Sequence, residues 1–288
     1  MKRLLLIDAH ALIHRFYHAL PPLTTPQGDA IQAIYGVCSV LLKIKREQNP
    51  DFVAAALDRP EPTFRKQQFN DYKAHRAPTA SDLIDQIKQL PEVFSLFGVS
   101  TYSQAGFEAD DVIGTLVHHF KKDNNLLITI LSGDLDLLQL VENDTVVVEI
   151  IKGGVSNIQI YNETAVLERY GIASKQLSDY KGLVGDVSDN IPGVRGVGKT
   201  IATKLIQDFR TIEGVYENLP LIEPKISKKL SEGERDAIMS KQLATIHLNA
   251  PLVFPKLEAL QWNDFDINLL TTYFTRHGFS SLLNRLRM

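Results

Sequence analysis

The sequence predicts an α/β fold, with a mostly parallel central sheet flanked by helices and a helical C-terminal subdomain after it. Three observations carry this expectation. Short apolar runs at Arg3–Ile7, Phe52–Leu57, Leu126–Leu131 and Thr145–Ile151 alternate with amphipathic stretches at Ile31–Gln48, Ser81–Phe97 and Asp110–Lys122. The runs are continuously apolar, as strands buried on both faces are, and their alternation with helices favours parallel pairing. From about Asn162 onward the pattern is almost wholly helical, broken by the Gly/Pro-rich segment Gly182–Gly198.

Taken in order, the first run ends at Asp8, the second reaches Asp58, and the third stops just before Asp134. Open parallel sheets bind ligands beyond the carboxyl ends of their strands, so acidic residues there mark a candidate site. Ser81 and Asp82 read as caps of the helix that follows. The expected division is residues 1–160 as the core, containing a segment at about 62–97 between the second strand and the next acidic motif, and 161–288 as the helical part, containing a loop at about 185–208. Acidic candidates lie on both sides of the boundary, so the two parts share one site.

Bulk properties narrow the class. A chain of 288 residues with 44% hydrophobic and 23% charged residues buries a full core and is neither disordered nor membrane-like. Its one cysteine, Cys38, excludes an internal disulfide, and its apolar neighbourhood reads as that of a small buried hydrophobe. The apolar run at the N-terminus is too short for a signal or membrane segment, so a cytoplasmic location without membrane contact is expected. Net charge is −3, which seemingly argues against a nucleic-acid partner. Nine of the acidic residues, however, belong to the candidate site, and without them the chain is net basic.

Those nine fall in five segments. Glu108-Ala-Asp-Asp111 opens a helix, with Glu108 and Asp111 at a spacing that shares a face. Ser132-Gly-Asp-Leu-Asp136 follows a strand with Asp134 and Asp136 two apart, so an extended segment aims both to one side. Gly185-Asp-Val-Ser-Asp-Asn190 places Asp186 and Asp189 on a loop, and Asp8 and Asp58 stand singly at strand ends. Each alone has a plain alternative, such as a solvated turn or a response to a helix dipole. Together they form an all-oxygen donor set suited to hard divalent cations, without which crowded carboxylates repel. The eight histidines show no His-Glu-x-x-His spacing and read as structural or surface residues.

Between Asp58 and Glu108 runs a basic, aromatic segment containing Arg65, Tyr72, Lys73 and Arg76, residue types that hold phosphates and stack on bases. Gly193 to Thr200 formally matches Gly-x-x-x-x-Gly-Lys-Thr, the phosphate-binding P-loop pattern. A true P-loop follows a buried strand, whereas polar, turn-forming residues precede Gly193, so nucleotide hydrolysis is not expected. A helix–loop–helix whose glycine backbone approaches duplex phosphates fits better.

The strings Leu6-Ile-Asp8, Tyr72-Lys-Ala-His-Arg76, Phe107-Glu-Ala-Asp-Asp-Val-Ile-Gly114, Ser132-Gly-Asp-Leu-Asp136 and Gly185-Asp-Val-Ser-Asp-Asn-Ile-Pro-Gly193 closely resemble the 5′ nuclease (flap endonuclease) domain of bacterial DNA polymerase I and its stand-alone relatives. The resemblance implies two or more divalent ions, Mg2+ or Mn2+. Asp8, Asp58, Glu108 and Asp110 would serve one, and Asp134, Asp136 and Asp189 the other, with Asp111 and Asp186 shaping the shell. It implies a helical arch over the site, with Lys73 and Arg76 as catalytic residues at the scissile phosphate and Tyr72 stacking at the DNA terminus. Arg15, Tyr17 and Arg65 are expected DNA contacts. The loop with Gly193, Gly196 and Gly198 would be a helix-three-turn-helix motif that grips DNA and binds K+ through carbonyls. Either Lys199 or Lys204 would supply its cationic contact. The expected function is a structure-specific 5′ nuclease of replication or repair, acting on DNA with a 5′ flap or a 5′ end at a duplex junction, beside a polymerase fused or in trans. A catalytically weak DNA-binding relative and a nuclease acting mainly on RNA are the alternatives.

Overall fold

Along the first strand, β1 (Lys2–Asp8), alternate side chains enter opposite hydrophobic layers: Leu4 and Leu6 one, Leu5 and Ile7 the other, all at most 1% exposed. Burial on both faces is why the run is uninterrupted in the sequence. The computed structural model describes residues 1–143, 145–152 and 157–286. After β1 come α1 (Ala9–Ala19), α2 (Gln32–Glu47), β2 (Phe52–Ala56), α3 (Phe64–Gln68), α4 (Ser81–Ile87), α5 (Leu90–Leu96), β3 (Ser100–Tyr102), α6 (Ala109–Phe120) and β4 (Leu126–Ser132). Then follow β5 (Val146–Ile151), β6 (Ile158–Tyr161), α7 (Glu163–Tyr170), α8 (Leu177–Val184), α9 (Lys199–Phe209), α10 (Ile212–Glu217), α11 (Pro224–Ala244), α12 (Ile267–Arg276) and α13 (Ser280–Leu286).

The strand order is β3-β2-β1-β4-β5-β6, with the first five parallel and β6 antiparallel at the edge. Leu4 of central β1 pairs with Phe52 on one side and Ile128 on the other, so β1, β2 and β4 present their carboxyl ends together. One face carries α1, α2, α5, α12 and α13, through residues such as Phe16, Ile34, Phe94, Phe274 and Leu282. The other carries α6 and the helices from α7 to α11, through residues such as Val112, Leu116, Leu183, Ile206 and Leu230. A Cβ on Gly36 would lie 2.4 Å from the Phe16 ring, so glycine is what lets α2 approach α1.

The α/β expectation holds, and the differences have local causes. Ser81–Phe97 is two helices, because Pro91 lacks an amide proton and restricts the residue before it; it sits in the first turn of α5, where that is tolerated. Ala80, not Ser81 or Asp82, occupies the cap position of α4, and no side chain caps it. The segments α4 and α5 bury Leu83, Leu90 and Phe94 beside α1 and α2. Likewise α12 and α13, at the tail of the expected helical part, pack with the sheet rather than with α7 to α11. Strands β3 and β6 span three and four residues, too few for a periodic signal. Among the described residues no helix is long and apolar enough to cross a membrane.

Candidate active site

The site grows out of strand ends and helix starts. Asp8 closes β1 and caps α1, its Oδ1 accepting from the Ala11 amide at 3.0 Å, while Oδ2 accepts from Ser132 Oγ at 2.6 Å. It is 2% exposed. Burial pushes its carboxyl up to about 7; the Ser132 and Ala11 hydrogen bonds oppose this, and Asp58 and Asp134 add to it. Asp58, just past β2, accepts from the Ala109 amide at 2.6 Å and so fastens the start of α6. Glu108 caps that helix, and Asp110 lies in its first turn. Burial first, then Asp8, Asp134, Asp136 and Glu108, hold the Asp110 carboxyl well above the usual carboxylate range. Asp134 follows β4, its amide held by Ser132 Oγ at 2.9 Å and its Oδ1 accepting from the Asp136 amide at 2.9 Å.

Asp8, Asp58, Glu108, Asp110 and Asp134 thus line one cleft of about 440 Å³ at the carboxyl ends of β1, β2 and β4. Arg15, Lys73 and Arg76 line the same cleft. Lys73 Nζ lies 3.0 Å from Glu108 and 3.9 Å from Asp189, and Arg76 Nη2 lies 2.6 Å from Asp189 Oδ1. Arg15 Nη2 donates to the Gly133 carbonyl at 2.9 Å. The second acidic group lies alongside: Lys181 of α8 bridges Asp136 and Asp186, and Asp186 also accepts from the Ser188 amide and hydroxyl at 2.9 and 2.6 Å. Burial raises Asp136 to about 6 against the pull of Lys181. For Asp186 the balance tips the other way: burial is outweighed by Lys181 and Ser188, leaving its carboxyl below the usual range.

Among the described residues no three acidic, histidine or cysteine groups converge into a ready cage; Asp8 and Asp58 accept from helix amides, and Asp186 and Asp189 accept from Lys181 and Arg76. The donor set nevertheless fits a divalent ion: the acidic groups lining the cleft offer only oxygen, and burial together with neighbouring carboxylates raises the Asp8 and Asp110 carboxyls, a cost that a cation would offset.

Four expected site residues are placed elsewhere. Asp111 is fully buried; its oxygens accept from both Arg65 guanidinium nitrogens (2.6 and 2.8 Å), the Glu108 amide (3.0 Å) and the His247 amide (2.8 Å). It anchors α6, lies outside the cleft lining, and touches the expected ligand set through the Glu108 amide. Arg65, 3% exposed, also donates to the Leu243 and Thr245 carbonyls, so it ties α3 to the end of α11 and is spent on interior partners. Tyr72, 4% exposed, packs with Ile191, Leu243 and Ala244 and donates toward Glu108 (3.1 Å) and Asp189 (3.2 Å), which leaves no free ring face for a base. Tyr17 donates to Asp82 at 2.9 Å and lies outside the cleft lining. Replacing Arg65 with Met should cost about 3–5 kcal/mol in urea unfolding, because it strands a buried carboxylate. Unchanged stability with weakened DNA binding would return Arg65 to the interface.

Two features escaped the sequence reading. Lys181 lay unremarked inside a helical stretch, and nothing in its spacing tied it to Asp136. His10, His14 and His18 recur every four residues on α1 and line the cleft, a periodicity that was legible in the sequence. His10 Nδ1 accepts from the Asp58 amide at 3.0 Å, which places that ring's proton, when neutral, on Nε2.

The glycine loop is built from close backbone contacts. A Cβ on Gly193, where φ is +63°, would lie 2.3 Å from the Gly185 amide nitrogen, so this loop folds back on the acidic loop. No strand feeds it: residues 185–192 turn about a single bridge between Asp186 and Ile191, as the rejection of a P-loop requires. Gly198 caps α9 without a side-chain bond, leaving the first amides of the helix open to an anion. Lys199 and Lys204 are exposed along an open groove beside that end, and the Gly196 carbonyl accepts from Lys229 Nζ at 3.0 Å.

Residues 3–171 match the 5′-3′ exonuclease N-terminal resolvase-like domain, and residues 172–268 its C-terminal SAM fold. DNA polymerase I of Caldicellulosiruptor bescii is 39% identical over 286 residues, covering 99% of this chain and 33% of the relative. DNA polymerase I of Bacillus subtilis is 36% identical, covering 99% and 32%. The chain therefore spans about a third of the length of these relatives. Among solved structures, T5 5′-exonuclease with bound zinc superposes with a TM-score of 0.67 at 22% identity, covering 84% of this chain and 89% of that one. The catalytic core of Rad2 in complex with DNA substrate gives 0.62 at 15% identity, covering 96% and 88%. These two establish the shared fold, and the two family matches, which together span residues 3–268, establish that the chain belongs to the 5′-3′ exonuclease family.

Proposed function

We propose that this chain is a metal-dependent, structure-specific 5′ nuclease that hydrolyses DNA phosphodiesters at a 5′ flap or at a 5′ end beside a duplex junction. The observation that carries the reading is the cleft itself, in which five carboxylates from three strand ends and one helix start share the lining with Arg15, Lys73 and Arg76. Asp8, Asp58, Glu108 and Asp110 are proposed to hold one Mg2+ or Mn2+ ion, and Asp134, Asp136 and Asp189 a second, with Asp186 beside them. Such ions supply Lewis-acid polarisation of the phosphate and make a water acidic enough to attack. The protein's own part is to orient the phosphate through Arg15, Lys73 and Arg76 and to offset its developing charge. A polymerase, fused or in trans, is the proposed protein partner.

Cleavage of a 5′-labelled flap duplex against single-stranded and blunt DNA, with and without Mg2+, tests the reading. Metal-dependent release of short 5′ products from the flap is expected. Binding without cleavage would favour a catalytically weak relative, and preference for the matching RNA flap would favour an RNA nuclease.

The glycine loop at Gly193, Gly196 and Gly198 is proposed as the duplex grip, a helix-three-turn-helix in function. Lys199→Ala should weaken flap and duplex binding uniformly across sequences and make the log–log salt dependence shallower by about one unit, one phosphate contact's worth. A neutral Lys199→Ala with the full loss in Lys204→Ala would move the contact one turn along α9. Specific Mg2+-dependent ATP binding would sink the grip altogether. A K+ ion held by carbonyls of this loop would have to compete with Lys229 if it used the Gly196 carbonyl. Replacing KCl by tetramethylammonium chloride at equal ionic strength should therefore change duplex affinity less than threefold in the wild type and more in Lys229→Ala.

A further inference from the structure

We propose that Lys181 is a built-in counter-cation that keeps the second divalent ion out of the DNA-free enzyme, so that this ion is loaded together with DNA. The inference rests on the proposed two-ion reading and goes beyond it in assigning an order of loading to one side chain.

Lys181 lies in the last turn of α8, on the side of the molecule that carries the helical subdomain, yet its ammonium reaches across to the core. It donates to Asp136 Oδ1, from the loop after β4, and to Asp186 Oδ2 at 2.7 Å, from the loop before the glycine grip. Its side chain is 18% exposed, and those of Asp136 and Asp186 are 22% and 19% exposed. The remaining oxygen of Asp186 is taken by the Ser188 amide and hydroxyl. A divalent ion seeking Asp136 here meets an ammonium already on one of its oxygens.

Other cations in the cleft are differently placed. Lys73 and Arg76 sit on the short segment after α3, which turns at Lys73 through a positive φ of 55°, and the Arg76 side chain is 51% exposed. Their segment carries no regular helix, although buried Tyr72 and the Lys73 amide, which donates to the Asp189 carbonyl at 2.9 Å, hold it to the acidic loop. Lys181 is fixed to a helix buried through Leu177, Tyr180 and Leu183, so only its side chain can withdraw. Withdrawal strands a half-desolvated ammonium, and staying sets it against a doubly charged ion. Either way the second ion binds at a disadvantage: of its proposed ligands Asp136 is held by Lys181 and Asp189 by Arg76. In the first set of Asp8, Asp58, Glu108 and Asp110 the described lysine and arginine pairs fall on Glu108 alone, with Lys73 at 3.0 Å and Arg65 at 3.6 Å. An incoming phosphodiester changes the balance, because its negative charge gives Lys181 and the second ion a shared partner.

The test is Mn2+ titration of the full metal-stripped chain, with free Mn2+ counted by electron paramagnetic resonance in the absence of DNA. The wild type should bind one ion tightly and a second at least tenfold more weakly. Lys181→Met should tighten the second ion at least tenfold, and Lys181→Arg should behave as the wild type. A lysine that merely holds α8 to the core would lower the melting temperature of Lys181→Met and leave both affinities unchanged, which would overturn the proposal. Two equally tight ions in the wild type would overturn it without needing any variant, while leaving the nuclease reading intact. No Mn2+ bound at all would bring down both.

Discussion

Asp110→Asn combined with Asp134→Asn should reduce flap cleavage by three or more powers of ten, on the order of 4 kcal/mol of lost transition-state stabilisation. Binding of the same DNA should change by less than threefold, because carboxylates do not themselves attract a phosphate backbone and the cleft keeps its Arg15, Lys73 and Arg76 cations. The structure adds a second, opposite readout. The Asp110 carboxyl is held far above its ordinary range by burial and by four neighbouring carboxylates, so its charge is a strain on the metal-free fold. In EDTA the double variant should therefore melt at a higher temperature than the wild type, and in Mg2+ that advantage should shrink or reverse. Cleavage within tenfold of wild type would remove these residues from the reaction. A loss of both activity and EDTA stability would mean that they were structural.

Lys73→Ala should slow cleavage at saturating DNA by two or more powers of ten, on the order of 3 kcal/mol, as expected for loss of a cation that meets charge developing on the phosphate. In the DNA-free structure its ammonium rests on Glu108 at 3.0 Å, with Asp189 at 3.9 Å, and its backbone amide donates to the Asp189 carbonyl at 2.9 Å. On the proposed reading, a metal held by Glu108 and Asp189 would take over these oxygens and leave Lys73 available to a phosphate. Single-turnover rates at saturating flap DNA are the appropriate measurement, since they separate chemistry from docking. A variant altered only in apparent affinity would make Lys73 a docking residue. Lys73→Gly serves as a control for the positive φ, which glycine adopts without strain, and should show the same kinetic loss with less effect on stability.

What the sequence determined by itself was the sheet and the acidic floor. Continuous apolar runs ending at Asp8, Asp58 and Asp134 are local signals, and a parallel sheet converts them into one place because its strands all end on the same side. The helix start at Glu108 is equally local, since capping and dipole effects act within a single turn. The rejection of the P-loop match followed from residues adjacent to Gly193.

Only the tertiary structure decided which charged residues face solvent and which are consumed in pairs. Arg65 and Asp111 read as a DNA contact and a part of the shell around the metal ions, yet they are 46 positions apart in sequence and bond each other in the interior. Tyr72 reads as a stacking platform and is buried against the end of α11. Lys181 reads as nothing, because its partner Asp136 is 45 positions away. A charged side chain has the same identity whether it is solvated or paired. The choice depends on burial and on partners brought close by the fold, and neither has a period or a spacing in the chain. Apolar residues reveal their side of the sheet through alternation, whereas ion pairs across distant segments leave no such trace.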